Sequence, residues 1–172
     1  FVQTIDLAPT LLDFFGLPPT KDMLGAPLRR VIAEDSGGRK AGLFGIFGGH
    51  VNVTDGRHVY MRTSVRPDGG PLNEYMLLPL NLRARLQRQD PIPLELAGPF
   101  SFTKGMRVLK VPVPGRSTPQ RYGHLLYDLE SDPRQERALQ NPELEKRMMA
   151  LMVELMRECD APPEQFERLG LT

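Results

Sequence analysis

The sequence predicts an α+β fold: a small antiparallel sheet of about four strands packed against a long C-terminal helix. Three observations carry that prediction. Between His50 and Arg62 an Asp-Gly pair separates two alternating runs, the pattern of a β-hairpin. From Leu144 to Cys159 apolar residues recur at three- and four-residue spacings, the stripe of an amphipathic helix. The chain has 172 residues with 40% hydrophobic content, enough to bury one core.

The first element is a helix. Asp6 is placed to cap it, Pro9 falls in its first turn, and Leu7, Ala8, Leu11, Leu12 and Phe15 give it apolar surface. Gly16, Pro18 and Pro19 stop it. So much apolar surface this early implies a partner surface. Lys21 to Lys40 is broken by glycine and proline and reads as a connector, with one helical turn around Leu28 to Ile32. Ala41 to Phe47 reads as a buried strand interspersed with glycine, and Gly48-Gly49 turns the chain.

In the hairpin that follows, Asp55-Gly56 predicts a type I′ turn with positive φ at both residues. Thr54 then faces Arg57 and Val53 faces His58. Val51, Val53 and Tyr60 share one face, while His50, Asn52 and Thr54 share the other. Arg66 to Pro99 is a long Pro- and Gly-rich excursion with a short helix expected from Leu80 to Gln89. Strands are expected at Val108 to Val113 and Tyr122 to Leu129, joined as a second hairpin. Asn141 as cap and Pro142 at the first helical position open the last long helix. It should end near Asp160, and a short turn from Pro163 to Leu169 should stop at Gly170.

Composition excludes several function classes. With 22 basic against 21 acidic residues, the net charge of +1 supplies no basic field for nucleic acid. No apolar run approaches the roughly 20 residues of a membrane span. One cysteine makes no internal disulfide. Cys159 falls on the apolar side of its helix, where burial would leave it an inert thiol. His50, His58 and His124 lie too far apart for a local metal motif, so no metal site is expected from this chain alone. Asp128 and Asp132 flank a turn closed by Pro133 and are better explained as turn residues than as acid-base catalysts. Arg83, Arg85 and Arg88 form a basic group whose default reading is a solvated face. No complete active site is legible in these residues.

Two segments carry a family resemblance. Thr4-Ile5-Asp6-Leu7-Ala8-Pro9-Thr10-Leu11-Leu12-Asp13-Phe14-Phe15-Gly16 resembles the D-L-x-P-T-L-L-x-x-x-G segment late in sulfatases of the alkaline phosphatase superfamily. Leu126-Tyr127-Asp128-Leu129-Glu130-Ser131-Asp132-Pro133, followed by Glu136, is similar to their C-terminal L-Y-D-L-x-x-D-P-x-E signature. Gln135 stands where the family has its acidic residue, with Glu136 one position further on.

The resemblance implies the C-terminal part of a sulfatase-like hydrolase. Residues 1–40 would close the catalytic region, their helix belonging to a missing α/β domain, and residues 41–172 would form the C-terminal subdomain. The family's nucleophile is a formylglycine made from Cys or Ser in a C/S-x-P/A-x-R motif, with calcium held by Asp and Asn or Gln. Cys159-Asp160-Ala161-Pro162-Pro163 lacks the Arg and the spacing, so the motif and the metal ligands are expected before Phe1. The intact enzyme would hydrolyse sulfate esters, with phosphate or phosphonate esters as the alternative. His50 and Asn52, on the hairpin's polar face after Gly48-Gly49, are the candidate substrate-pocket residues; an edge hairpin docking on the missing domain is the structural alternative. The expected partner is the chain's own N-terminal catalytic domain, with neither nucleic acid nor membrane, and with self-association through the uncovered helix. The rival is a stand-alone binding module meeting an anionic partner through Arg83, Arg85 and Arg88. The single cysteine favours the cytoplasm and leaves export open.

Overall fold

The computed structural model describes residues 1–77, 80–81, 84–85, 95–115 and 118–171. The chain divides into two compact units. The first comprises Phe1–Phe44, Asn52–Tyr60 and Leu126–Leu155; the second comprises Gly45–Val51, Met61–Leu125 and Met156–Thr172. Four helices are α1 (Leu7–Phe14), α2 (Arg29–Glu34), α3 (Pro142–Glu158) and α4 (Pro163–Leu169) among the described residues. The strands are β1 (Gly42–Gly45), β2 (Val51–Thr54), β3 (His58–Arg62), β4 (Asn73–Met76), β5 (Leu80–Asn81), β6 (Ala84–Arg85), β7 (Glu95–Ala97), β8 (Val108–Pro112) and β9 (Leu125–Asp128). They form two small antiparallel sheets, of order β1-β2-β3-β9 and β4-β8-β7, and a short β5-β6 pair. The α+β class is as the sequence predicts.

In the first unit, Asp6 does not cap α1 with its side chain. Its carboxylate, 1% exposed, accepts the N–H groups of Gln3 and Ala26, both at 2.9 Å, and both ends of the Arg39 fork at 2.7 and 3.2 Å. Thr10 extends the knot by donating to the Asp6 carbonyl and accepting the Leu28 N–H at 3.0 Å. Gly25 belongs to it for a steric reason. A Cβ there would stand 2.0 Å from the Ile5 carbonyl oxygen, so only glycine lets the two backbones meet. α1 therefore turns its polar anchors and buried Pro9 inward, while Leu7, Leu11, Phe14 and Phe15 stay exposed, the last two by more than 70%.

The hairpin is present, but its turn closes one residue later than expected. The Asp55 N–H donates to the His58 carbonyl at 3.4 Å, and of the Asp55-Gly56 pair only Gly56 has positive φ, 99°. The Asp55 side chain decides this by accepting the N–H groups of Arg57 and His58 at 3.1 and 2.7 Å. A local side-chain bond thus outcompetes the left-handed conformation that type I′ demands. The alternation of faces is unchanged, and Val53 and Tyr60 are both buried.

Helix α3 starts as its cap predicts, with the Leu144 N–H donating to Asn141 Oδ1 at 3.1 Å. Tyr60 in β3 donates to Glu145 at 2.8 Å, and Met148 and Met152, one and two turns on, are wholly buried. This ties the methionine stripe to the sheet. Tyr60→Phe should lose one hydrogen bond to a half-buried carboxylate, about 1 kcal/mol, or a fall of about 2–4 °C in thermal unfolding temperature. An unchanged transition would mean the pair is effectively solvated.

The second unit departs further from expectation. β8 pairs antiparallel with β4, Asn73 opposite Pro112 and Met76 opposite Leu109, and also with β7, Glu95 opposite Lys110. Both hydrogen-bonding edges of β8 are therefore occupied, so it makes no hairpin with β9, which lies at the edge of the other sheet. β4 and β7 fall inside the stretch read as an excursion. Leu80–Asn81 and Ala84–Arg85 pair antiparallel where a helix was expected; the rest of that helix, with Arg83 and Arg88, lies outside the described residues.

α3 ends at Glu158, one residue short of Cys159, because Asp160 takes φ 54° and the Ala161 N–H caps the Met156 carbonyl at 2.9 Å. Cys159 is therefore exposed rather than buried. Neighbouring atoms still desolvate its thiol enough to push its pKa up, and the Asp160 and Glu158 charges add to this, so little thiolate forms near neutrality. α4 and its stop at Gly170, φ 62°, match the expected final turn.

Candidate functional site

The residues around His50 belong to the second unit. Arg168, on α4, is 1% exposed and donates Nε to the Gly69 carbonyl at 3.0 Å and Nη2 to the carbonyls of Gly48 and Gly49 at 3.1 and 2.8 Å. Among the described residues no carboxylate pairs with it, and burial alone pulls its pKa down. Gly48 accepts this approach with φ 72°, and a Cβ on Gly49 would stand 2.7 Å from the Ile46 side chain. The Gly48-Gly49 pair does permit a close approach, and the approaching group is this guanidinium.

His50 follows directly. Its Nε2 lies 2.9 Å from the Gly123 carbonyl, and since a carbonyl only accepts, Nε2 carries the hydrogen. The ring is half-buried. The next residue, His124, receives the Thr63 N–H on Nδ1 at 3.3 Å, so that nitrogen is an acceptor. Asn52 sits in β2 of the first unit, 9% exposed, and its Oδ1 is buried with no hydrogen-bond partner. His58, also in the first unit, is engaged by Asp55 at 3.2 Å and by Arg147. The two candidate residues are thus differently placed: His50 has a directed ring, and Asn52 a buried acceptor still lacking a donor.

A cleft of about 740 Å³ also lies in the second unit, walled by Tyr75, Phe100, Glu95, Lys110, Glu164 and Glu167 among others. Tyr75 and Phe100 meet edge to face at 5.2 Å. Glu164 accepts from the Tyr75 hydroxyl and from Asn73 Nδ2. Burial and the neighbouring Glu164 charge push the Tyr75 phenol well above its ordinary value. Burial also works to raise the Glu164 carboxyl, but its hydrogen bonds outweigh this and hold it low. Lys110 faces Glu95 at 3.7 Å. Sequence reasoning missed this cleft because Tyr75 and Glu164 come from a strand read as excursion and a helix far along the chain.

The polar residues of the second family-like segment have structural partners. Asp128 takes the Arg57 fork at 3.1 and 2.8 Å and the Glu130 N–H at 3.0 Å; the Arg57 bond chiefly holds its carboxyl below the usual range. Asp132 accepts the Arg137 N–H at 2.8 Å, the main cause of its lowered pKa. Gln135, at the departure from the family pattern, adopts φ 56° with its N–H on the Asp132 carbonyl.

Among the described residues no three His, Cys, Asp or Glu side chains gather as a metal-holding group. The C/S-x-P/A-x-R spacing does occur in this chain, at Ser117-Thr118-Pro119-Gln120-Arg121, contrary to the expectation that it lies only before Phe1. Three fixed positions in five make a weak signal on their own. Ser117 lies outside the described residues, and Thr118–Tyr122 forms a 3-10 turn. Among the described residues, no helix is long and apolar enough to cross a membrane.

No family profile and no curated protein matches the chain. Among solved structures it is similar to one from Bacteroides thetaiotaomicron described as "Metabolism of multiple glycosaminoglycans by bacteroides thetaiotaomicron is orchestrated by a versatile core genetic locus (BT33336S-sulf)". The two are 13% identical with a TM-score of 0.49, over 88% of this chain and 24% of that one. The chain thus spans about a quarter of that structure's length.

Proposed function

We propose that this chain is the C-terminal portion of a sulfatase-like hydrolase that supports the catalytic body and contributes to its substrate pocket. The observation that carries the reading is the pair of family-like segments, 4–16 and 126–136, whose polar residues are spent on structure. Asp6 and Thr10 tie α1 to the connector, and Asp128 and Asp132 lock the turn after β9. The apolar face of α1 that they leave outward is the surface by which this portion docks on its own catalytic domain.

In the intact protein the reaction would be hydrolysis of a sulfate ester, with the formylglycine nucleophile and calcium supplied by residues other than those described here. His50 and, separately, Asn52 are the proposed substrate-contacting residues. Phosphate or phosphonate esters are the alternative substrates. The test is hydrolysis of nitrophenyl sulfate by the intact protein and by this chain alone. Calcium-dependent turnover is expected from the first only, and Ser117→Ala in the intact protein should leave kcat/KM within about twofold. A loss of about a hundredfold or more with Ser117→Ala would move the nucleophile into this chain, and phosphate-ester turnover without sulfate-ester turnover would select the alternative.

A further inference from the structure

We infer that His50 meets its ligand through Nδ1, as the hydrogen-bond acceptor for a substrate hydroxyl, and that Arg168 is the positioning residue that holds it there. The inference rests on the sulfatase-like reading and narrows it to recognition of the alcohol part of the ester. The Gly123 carbonyl fixes a hydrogen on Nε2, so a single-hydrogen imidazole keeps its lone pair on Nδ1, which has no partner among the described residues. A sulfate group offers only acceptors, so it gains nothing from that nitrogen. A hydroxyl does.

The histidine is held at two places by groups far away in the chain. Its preceding backbone is pinned where Arg168 gathers the carbonyls of Gly48 and Gly49, and its ring is pinned by Gly123. Gly123 is in turn steadied by the next residue, since His124 Nδ1 receives the Thr63 N–H. A buried guanidinium with only carbonyl partners is a costly device for closing a two-glycine turn, because desolvating the cation is opposed by neutral dipoles alone. What it provides is a fixed fork, which a flexible ammonium would not reproduce. A side chain held in this way loses little freedom when a ligand arrives.

The test uses the intact hydrolase with a hexose sulfate and with nitrophenyl sulfate, which has no free hydroxyl. His50→Ala should lower kcat/KM on the hexose sulfate by about tenfold or more, mainly through KM, with a clearly smaller loss on nitrophenyl sulfate. Arg168→Lys and Arg168→Gln are both made, so that failure of one to fold leaves the other. Each should show the same substrate-selective loss, and the double variant with His50→Ala should lose no more than His50→Ala alone, because Arg168 acts through His50. Equal losses on both esters, additive losses in the double variant, or unchanged kinetics would overturn the inference while leaving the hydrolase reading intact. An intact protein that hydrolyses neither ester would overturn the reading, and the inference with it.

Discussion

Asp6→Asn should destabilise the protein by about 3 kcal/mol, a fall of roughly 6–12 °C in thermal unfolding temperature at neutral pH. The wild-type carboxylate is almost wholly buried and takes four donors: two backbone N–H groups and both ends of the Arg39 fork. An amide offers one accepting oxygen and turns an NH2 group toward donors, so it removes the Asp6 counter-charge from the half-buried Arg39 guanidinium. The Arg39 bond is the main reason that the Asp6 pKa is lowered to about 2 from 3.8. A carboxyl depressed in the folded state stabilises fully above its unfolded pKa, and that share, about 2 kcal/mol, is lost as the pH falls from about 4 through about 2. Asp55, Asp128, Asp132 and Asp160 are also depressed and add to the acid sensitivity of the whole protein. The informative quantity is therefore the gap between wild type and variant in thermal melts across that range. It should be largest at neutral pH and close on acidification. A variant melting within about 2 °C of wild type at neutral pH would show that the knot contributes little.

Legibility in the sequence followed the range of the interactions. α3 was readable because its cap, its first-turn proline and its stripe are all local, and Asn141, Met148 and Met152 do what their spacing says. The hairpin was readable from alternation, but its closing pair depended on where one Asp55 oxygen bonded, and Asp-Gly dipeptides serve more than one turn type. β4 and β7 were invisible for a different reason. Asn73–Met76 and Glu95–Ala97 are short, carry charged residues and become strands only because β8 offers two free edges. Cys159 was misplaced by a single left-handed residue, Asp160.

Of the candidate site, His50 was proposed on the strength of Gly48-Gly49, and the glycines do mark a close approach, that of Arg168. What approaches them was not legible, since Arg168 looks like any charged residue near the end of a short helix. Its burial follows from carbonyls more than a hundred residues earlier, in Gly48 and Gly49, with Gly69 completing the set. Glycine doublets at 48–49 and 69–70 were the one available signal, because backbone without side chains is where a buried cation finds carbonyls.

Replacing both Leu11 and Phe14 by Asp should have little effect on stability in one setting and a large one in the other, and that contrast tests the docking proposal. In this chain alone the two side chains are 60% and 75% exposed, and α1 is held from its other side by Asp6 and Thr10. Exposed substitutions of this kind usually shift stability by no more than about 0.5 kcal/mol. They should reduce self-association in sedimentation, because they break up the apolar surface of Leu7, Leu11, Phe14 and Phe15. On the docking proposal, the same positions are covered by the catalytic body in the intact protein. Burying a Leu or Phe side chain contributes about 1.5–3 kcal/mol, so losing both removes roughly 3–6 kcal/mol, and the two carboxylates add a desolvation cost. The intact variant should therefore melt about 10 °C or more below wild type and lose activity in proportion to the fraction unfolded. Arg29→Ala supplies the control, since the bond from Arg29 of α2 to Asp13 of α1 is largely exposed and its loss should cost little in either setting. An intact protein indifferent to the double substitution would place the apolar face of α1 in solvent or against another copy. Sedimentation distinguishes those two outcomes, because only the second would lose a dimer.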